Sequence, residues 1–304
     1  MYLNLINKED KAGIKYTLSQ FPDGQQQITL ELDYHTDDKV VIISRLNNFL
    51  DLEKIICANQ SLLESGFTQI SLNVPYFLGS RSDRKFTKWS NNYLKTIICP
   101  IINSQNFENV QVLDPHSDVL EACLNNYSKK SNLDLVKFAL TKIDNKNDAQ
   151  DRIVLVSPDG GALKKIYDVA ETFKIPNIVT AMKHRDVLSG KITHTEVPLS
   201  ETRYYKDCDF VIVDDICDGG RTFTELSKAI KAKVPNARIH LIVTHGIFSQ
   251  GITPLAEHFE SIFCTNSYKD VVDLPEDTDL ERESKKKVFQ YNLFPITKNE
   301  SILR

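Results

Sequence analysis

Short apolar runs alternate with amphipathic helical patterns along the whole chain. In the first half, strand-like runs occupy residues 27–32, 40–44, 70–74 and 110–113, and in the second half residues 153–156, 178–181, 211–213, 239–244 and 262–265. Helical spacing links Leu52, Ile55, Ile56, Leu62 and Leu63, and again Ile166, Val169, Ala170 and Phe173. The alternation predicts an α/β fold of mostly parallel sheets flanked by helices.

The length of 304 residues exceeds that of a usual single core and favours two domains. The segment 141–152 is polar and charged without periodicity, which makes it the best candidate for a domain boundary. We therefore expect one domain over residues 1–145 and a second over 146–304.

Composition excludes several classes of protein. The net charge is −4, and Lys and Arg are scattered, which argues against a nucleic-acid partner. No apolar run approaches the roughly 18 residues of a membrane span, and the N-terminus lacks a signal-peptide core, so a cytoplasmic protein without a membrane partner is expected. The six cysteines form no CxxC pair, so neither a zinc site nor a disulfide framework is indicated.

The most informative stretch is FVIVDDICDGGRTF, residues 210–223. An apolar strand, 211–213, leads into Asp214 and Asp215, a turn follows at Gly219 and Gly220, and an amphipathic helix opens at Thr222. Backbone N–H groups of such a turn and the positive end of the helix dipole bind phosphate. Two carboxylates beside them suit the vicinal hydroxyls of a sugar, so the stretch indicates a ribose phosphate site. An ordinary βα turn whose Asp pair caps the helix or faces water explains it equally well.

Polar residues follow three other predicted strands or turns. A turn is predicted at Phe21, Pro22, Asp23 and Gly24. The charged residues Arg81 to Lys85 follow strand 70–74, and His116 follows strand 110–113. The carboxyl ends of strands are where open α/β sheets bind ligands, although charge runs are commonly solvated and a lone His is commonly structural.

The second half contains two further candidate segments. Strand 153–156 is followed by Asp159, Gly160 and Gly161. This repeats the pattern of a carboxylate and a glycine turn before a helix. Lys183 and Arg185 open a polar segment of about twenty residues that we expect to be a loop. Beside a nucleotide, such cations neutralise the charge that develops in phosphoryl transfer.

Taken in order, these segments resemble the ribose-phosphate diphosphokinase (phosphoribosyl pyrophosphate synthetase) family over nearly the whole chain. The matching segments are Phe21-Pro22-Asp23-Gly24 (family FPDGE), Arg81-Ser82-Asp83-Arg84-Lys85 (RQDRK), His116 (the His of DLH), Ser157 to Gly161 (SPDAGG), Lys183-His184-Arg185 (KxR), Asp214 to Thr222 (the phosphoribosyl loop), Thr244-His245-Gly246 (THG) and Thr265-Asn266-Ser267 (TN).

The resemblance implies two phosphoribosyltransferase-type domains and a Mg²⁺-dependent transfer of the β,γ-diphosphate of ATP to the C1 hydroxyl of ribose 5-phosphate. It assigns catalysis to Lys183 and Arg185 and metal binding to His116 and Asp159. It assigns ATP binding to Phe21, Asp23, Arg81, Asp83, Arg84 and His116, and ribose-phosphate binding to Asp214, Asp215, Asp218, Gly219, Gly220, Arg221 and Thr222. Because the family's FPDGE aromatic packs on adenine from a neighbouring subunit, a homodimer or higher homo-oligomer with a shared nucleotide site is expected.

The sequence departs from the family pattern at three places. Arg221 replaces a glycine of the phosphate loop, Ser82 replaces the usual Gln near the base, and the catalytic loop lacks the family's Arg- and Pro-rich continuation after Arg185. Arg221 either points away or reaches a second phosphate, which would make a larger acceptor such as ADP-ribose possible. A phosphoribosyltransferase and a non-catalytic regulatory homologue remain as alternatives, and the presence of Lys183 argues against the latter.

Overall fold

A computed structural model describes residues 1–8, 10–32, 39–143, 151–185, 192–199, 205 and 207–294, with the backbone alone for residues 183–185 and 192–194. Its strands are β1 Tyr2–Asn4, β2 Lys15–Gln20, β3 Gln26–Glu31, β4 Lys39–Ile43, β5 Gln69–Asn73, β6 Asn109–Leu113, β7 Tyr127–Lys130, β8 Ile153–Ser157, β9 Ile178–Thr180, β10 Met182–Arg185, β11 Ile192–Glu196, β12 Asp209–Cys217, β13 Arg238–Gly246, β14 Ser261–Thr265 and β15 Val288–Tyr291. Its helices are α1 Phe49–Glu64, α2 Cys99–Asn103, α3 Val119–Cys123, α4 Leu133–Ile143, α5 Leu163–Phe173, α6 Arg221–Lys233, α7 Thr253–Ala256 and α8 Asp279–Lys285, with a π-helical turn at Leu94–Ile98 and a 3₁₀ turn at Val271–Asp273.

The first compact unit comprises Met1–Ser131 together with Leu293 and Phe294. Its sheet has the order β1-β4-β5-β6-β7 with parallel neighbours. Helix α1 begins at the N-cap Asn48, whose side chain accepts the N–H of Asp51, and it buries an apolar stripe against this unit's core. The antiparallel hairpin β2–β3 is a separate sheet attached to α1, where Gln26 Nε2 donates to the carbonyl of Leu50 at 2.7 Å.

The second unit, Asn132–Asn292, contains a parallel sheet of order β15-β14-β13-β12-β8-β9. Alternate residues of its strands point to opposite faces. Val211 and Val213 pack in one core with α4 and α5, whereas Phe210 and Ile212 pack in the other with α6 and α7. This confirms the predicted α/β class, with parallel sheets flanked by helices.

The two compact units divide between Ser131 and Asn132, whereas the domain division at residues 145 and 146 stays a prediction. Helix α4 lies before that point in the sequence, yet Leu135, Val136 and Ala139 pack in the second unit's core with Ile166 of α5. The amphipathic face of α4 has its apolar partners there, which explains why this helix belongs to the second compact unit. The first residues of the expected linker, 141–143, are the last turn of α4.

Each apolar run predicted as a strand coincides with a strand of the structure. The sequence pattern missed β1, β2, β7 and the antiparallel hairpin β10–β11. The segment 15–20 is largely exposed and lacks an apolar run, and β1 is only three residues long. The expected loop after strand 178–181 is instead strand at 182–185 and 192–196, because Ile192, Thr193 and Thr195 favour extended backbone. No helix in the described ranges is long and apolar enough to cross a membrane.

Candidate functional site

Four neighbouring parallel strands of the second unit end at one edge of its sheet. Strands β8, β12, β13 and β14 are adjacent and parallel, so the segments after them meet there. These segments are the turn at 158–161, the stretch 214–222, the end of β13 at 244–246 and the residues 265–267. Open α/β sheets bind ligands at this edge.

The two predicted sugar-binding carboxylates lie within β12 and not after it, because the strand continues to Cys217. Asp215 is buried, Asp214 is half-buried, and the N–H of Asp215 donates to Asp214 Oδ1 at 2.9 Å. Burial, the Asp215 charge and a hydrogen bond between the two carboxyls raise the pKa of Asp214 well above its usual value. Hydrogen bonds from hydroxyl donors would therefore stabilise the ionised form of the pair.

The glycine turn adopts a backbone that requires glycine. Gly220 is the N-cap of α6 with φ +77°, in the left-handed region, and a Cβ there would lie 2.8 Å from Leu255 Cδ2. Helix α6 begins at Arg221, one residue earlier than the predicted start at Thr222. The positive φ turns the chain from the strand end into the helix within a few residues.

The turn presents unpaired donors at the start of α6. Within the described residues, the backbone N–H groups of Gly219, Gly220, Arg221 and Thr222 donate to no protein acceptor. The first N–H groups of a helix have no partner inside it, and the helix dipole adds positive potential. The strand, the turn and the 13-residue helix together have a geometry suited to an oxyanion such as phosphate.

The segment 247–249 forms backbone hydrogen bonds with the residues that precede the glycine turn. The carbonyl of Cys217 accepts the N–H groups of Ile247 and Phe248 at 2.9 and 3.1 Å, and the carbonyl of Asp218 accepts that of Ser249 at 3.2 Å. These bonds fix the carbonyls away from the anion site and leave the N–H groups in place. The turn is therefore preorganised for an anion.

Arg221 adds a cation at the first position of α6. Its side chain is exposed, and it makes no hydrogen bond or ion pair with any residue in the described part of the chain. The guanidinium is therefore available to a ligand at the edge of the turn.

The turn after β8 is a second predicted carboxylate site. Asp159 Oδ1 accepts the N–H groups of Gly161 at 3.0 Å and Ala162 at 3.3 Å, and the Asp159 carbonyl accepts Ser157 Oγ at 2.7 Å. Part of its accepting capacity therefore stabilises the start of α5. Across the described ranges no cluster of three or more His, Cys, Asp or Glu side chains is suited to a metal ion. A single carboxylate still fits Mg²⁺, which keeps several waters and binds substrate phosphates in addition to one or two carboxylates.

The remaining predicted residues of the first unit fall in two places. Strands β5 and β6 are adjacent and parallel, so Arg81, Asp83 and Arg84 follow one strand and His116 the next at the same edge. Arg81, Arg84 and His116 are exposed there. Phe21 and Asp23 instead lie at the tip of hairpin β2–β3, where Phe21 is 48% exposed.

Lys183 and Arg185 lie on β10, the first strand of the small hairpin. Their side chains lie outside the described part of the structure, so their catalytic role stays a prediction.

Two features of the site were missed by the sequence motifs. Lys165 Nζ lies 3.8 Å from Asp215 Oδ1, and His245 Nδ1 lies 2.8 Å from Ser267 Oγ at the ends of β13 and β14. In the sequence, the indication for Lys165 was its position as the third residue of α5, the helix that follows strand β8 of the same sheet. The His245–Ser267 contact joins residues 22 positions apart, which no local pattern reveals.

A model of the phosphoribosyl transferase domain matches residues 125–279, just over half of the chain. The chain therefore belongs to the phosphoribosyl transferase domain family. Ribose-phosphate pyrophosphokinases of Mycoplasma genitalium and Saccharolobus solfataricus are 25% and 26% identical to it over 248 and 239 residues, which cover 81% and 74% of this chain and 71% and 76% of theirs. The resemblance to the diphosphokinases predicted from the motifs is confirmed.

A solved structure shares the fold. The crystal structure of phosphoribosylpyrophosphate synthetase from Mycobacterium smegmatis superposes with a TM-score of 0.73 at 17% identity, covering 93% of this chain and 87% of that one. The likeness shows that the two proteins share a fold.

Proposed function

We propose that this protein transfers the β,γ-diphosphate of ATP to the C1 hydroxyl of ribose 5-phosphate, which yields phosphoribosyl pyrophosphate and AMP. The observation that carries the proposal is the juxtaposition of the Asp214–Asp215 pair with four N–H groups, at residues 219–222, that donate to no acceptor in the described part of the chain. The naming of the relatives from Mycoplasma and Saccharolobus as ribose-phosphate pyrophosphokinases supports the same activity.

The acceptor half of the site follows from donor and acceptor chemistry. The N–H groups of Gly219 to Thr222 would bind the 5-phosphate, with Asp218 beside them. Asp214 and Asp215 would accept hydrogen bonds from the ribose hydroxyls. Because ring and phosphate are then both held, the C1 hydroxyl is fixed for attack.

The transfer itself is one displacement at phosphorus. The C1 hydroxyl oxygen forms a bond to the β-phosphorus of ATP and loses its proton, while the bond from that phosphorus to the α,β-bridging oxygen breaks and AMP leaves. Lys183 and Arg185 are proposed to stabilise the charge on the transferring group. Mg²⁺ would neutralise the phosphates when bound, and Asp159 and His116 are the residues proposed to hold it.

The nucleotide half is assigned to residues of the first unit. Arg81, Arg84 and His116 are exposed groups suited to phosphate, with Asp83 beside them. Phe21 and Asp23 lie on an exposed hairpin tip, which suits packing on the adenine bound to a neighbouring subunit. We therefore propose a homodimer or larger assembly with a shared nucleotide site.

A second candidate acceptor is favoured by Arg221. Ribose 5-phosphate has one phosphate, which the N–H groups of the turn would bind. The guanidinium of Arg221, which pairs with no residue in the described ranges, adds a binding group beyond it. A ribose carried on a diphosphate, as in ADP-ribose, would place its second phosphate within reach of such a cation. Arg221→Gly should then weaken ADP-ribose binding more than ribose 5-phosphate binding, and equal effects on both would contradict this acceptor.

The first test of the proposed activity is AMP release from ATP and Mg²⁺ in the presence of ribose 5-phosphate. We expect release by the wild type, and its loss in Lys183→Ala with an unchanged circular dichroism spectrum. AMP release by Lys183→Ala at the wild-type rate would remove that residue from the mechanism. Absence of AMP in the wild type would favour a phosphoribosyltransferase or a regulatory homologue.

A further inference from the structure

The Lys165 side chain lies against the Asp214–Asp215 pair. Its Nζ lies 3.8 Å from Asp215 Oδ1, with 24% of the Lys165 side chain and 8% of the Asp215 side chain exposed. An ion pair with this little solvent is screened far less than a surface pair. We propose that Lys165 is a positioning residue that favours the ionised form of the carboxyl pair and orients it to accept hydrogen bonds from ribose hydroxyls. This inference rests on the ribose-phosphate site of the proposed function.

The local fold explains why Lys165 reaches the pair. It lies in the first turn of α5, whose apolar stripe at Ile166, Val169 and Ala170 is buried against the sheet face that also carries Val213. Side chains in a helix tilt toward its N-terminus, so a first-turn lysine points back to the carboxyl edge of the sheet. The neighbouring Lys164 is exposed, although it has the same charge and almost the same position in the sequence.

The Lys165 charge acts on the pair in the direction opposite to burial and carboxylate repulsion. Burial and the Asp215 carboxylate raise the pKa of Asp214, while the Lys165 charge lowers it. The other titratable groups around this edge are Cys217 and Asp218 on the same segment, the Asp159 carboxylate after β8, and His245 on β13. Of these, His245 is in contact with Ser267.

Removal of the Lys165 charge should raise the pKa of Asp214 further. Without the cation, Asp214 is protonated at a higher pH than in the wild type. A protonated carboxyl has lost accepting capacity for ribose hydroxyls, so ribose 5-phosphate binding should fail at a higher pH as the solution is acidified. Arginine at the same position keeps the charge and should restore the wild-type profile.

The test is calorimetric binding of ribose 5-phosphate from pH 5.5 to 8.5 to the wild type, Lys165→Met, Lys165→Arg and the charge-matched control Lys164→Met. We expect the pH of half-maximal affinity to rise by about one unit in Lys165→Met, since a nearby opposite charge shifts a carboxyl pKa by about that much or more. Lys165→Arg and Lys164→Met should retain the wild-type profile. Lys165→Gln serves in place of the methionine variant if the latter does not fold.

Inorganic phosphate is the second probe, because it occupies the turn without using the carboxylates. Lys165→Met should leave its affinity within about twofold of the wild type, as expected for a cation that acts on the carboxylates and not on the phosphate. An unshifted ribose 5-phosphate profile, or an equal loss of phosphate affinity, would overturn the role of Lys165 while the proposed function stood. A shifted profile in a protein that releases no AMP would support Lys165 and contradict only the proposed transfer. A wild type that does not bind ribose 5-phosphate would overturn both.

Discussion

The backbone N–H of Asp215 donates to the side-chain Oδ1 of Asp214 at 2.9 Å, so the strand itself holds the first carboxylate of the pair. The same two residues are close enough for their charges to interact, and this interaction adds to burial in raising the pKa of Asp214. The Asp214–Asp215 pair therefore holds a proton more tightly than isolated carboxyls do.

Binding of ribose 5-phosphate should release protons. Hydroxyl donors stabilise the ionised form, so the ligand lowers the pKa of Asp214, and affinity should fall as pH drops through the raised value. Calorimetry in two buffers of different ionisation enthalpy measures the release. Asp214→Asn should abolish it and weaken binding by about 2 kcal/mol, the usual worth of a hydrogen bond to a charged group. An affinity that increases toward acid pH would contradict this account.

Gly220→Ala should destabilise the protein by about 1–3 kcal/mol, because a left-handed backbone and a contact with Leu255 both oppose a Cβ. Urea denaturation measures the change. Gly219→Ala is the matched control: its Cβ would lie 3.4 Å from Gln250 Cγ, an ordinary contact, and its φ is not in the left-handed region. Equal stabilities of the two variants would show that the turn is not constrained as described.

Phe21→Ala should raise the KM for ATP by about tenfold, the effect of losing roughly 1–2 kcal/mol of stacking on a base. Because Phe21 is exposed at a hairpin tip, the free energy of unfolding should change by less than about 0.5 kcal/mol. Val272→Ala, which truncates a side chain that is 78% exposed in the other unit, is the control. A KM unchanged in the Phe21 variant would remove the hairpin from the nucleotide site.

Asp209→Asn should destabilise the second unit at neutral pH by about 2 kcal/mol, following the depression of its pKa. Burial raises the pKa of Asp209, but hydrogen bonds from His240 and Arg238 outweigh burial and lower it to about 2. The stabilisation is present above the usual carboxyl pKa near 3.8 and is lost as pH falls toward 2. Thermal unfolding at pH 7 and pH 2.5 measures it, with Asp207→Asn as the control. A difference between variant and wild type that grew on acidification would refute the ion pair as its source.

The sequence predicted those parts of the fold and site that depend on local chemistry. A β-branched run, the Asp pair and two glycines were enough to place Asp214, Asp215 and Gly220 at a strand end, because backbone preference and polarity are properties of each residue. The exact bounds were wrong, since β12 continues through the carboxylates.

Long-range contacts explain what the sequence pattern missed. Lys165 and Asp215 are brought together only by the adjacency of β8 and β12, and α4 joins the second unit through packing with α5. The contact of His240 with Asp209 likewise depends on the register of β12 and β13. Such pairings follow from sheet order, which a single sequence does not contain.

The central claim is tested most directly by the mass of the product formed from ATP and Mg²⁺ when ribose 5-phosphate and ADP-ribose are offered in parallel. We predict that ribose 5-phosphate gains one diphosphate and that AMP appears in equal amount. A diphosphate gained only by ADP-ribose would identify the larger acceptor and direct attention to Arg221. Absence of a diphosphate gain on both acceptors would contradict the proposed transfer.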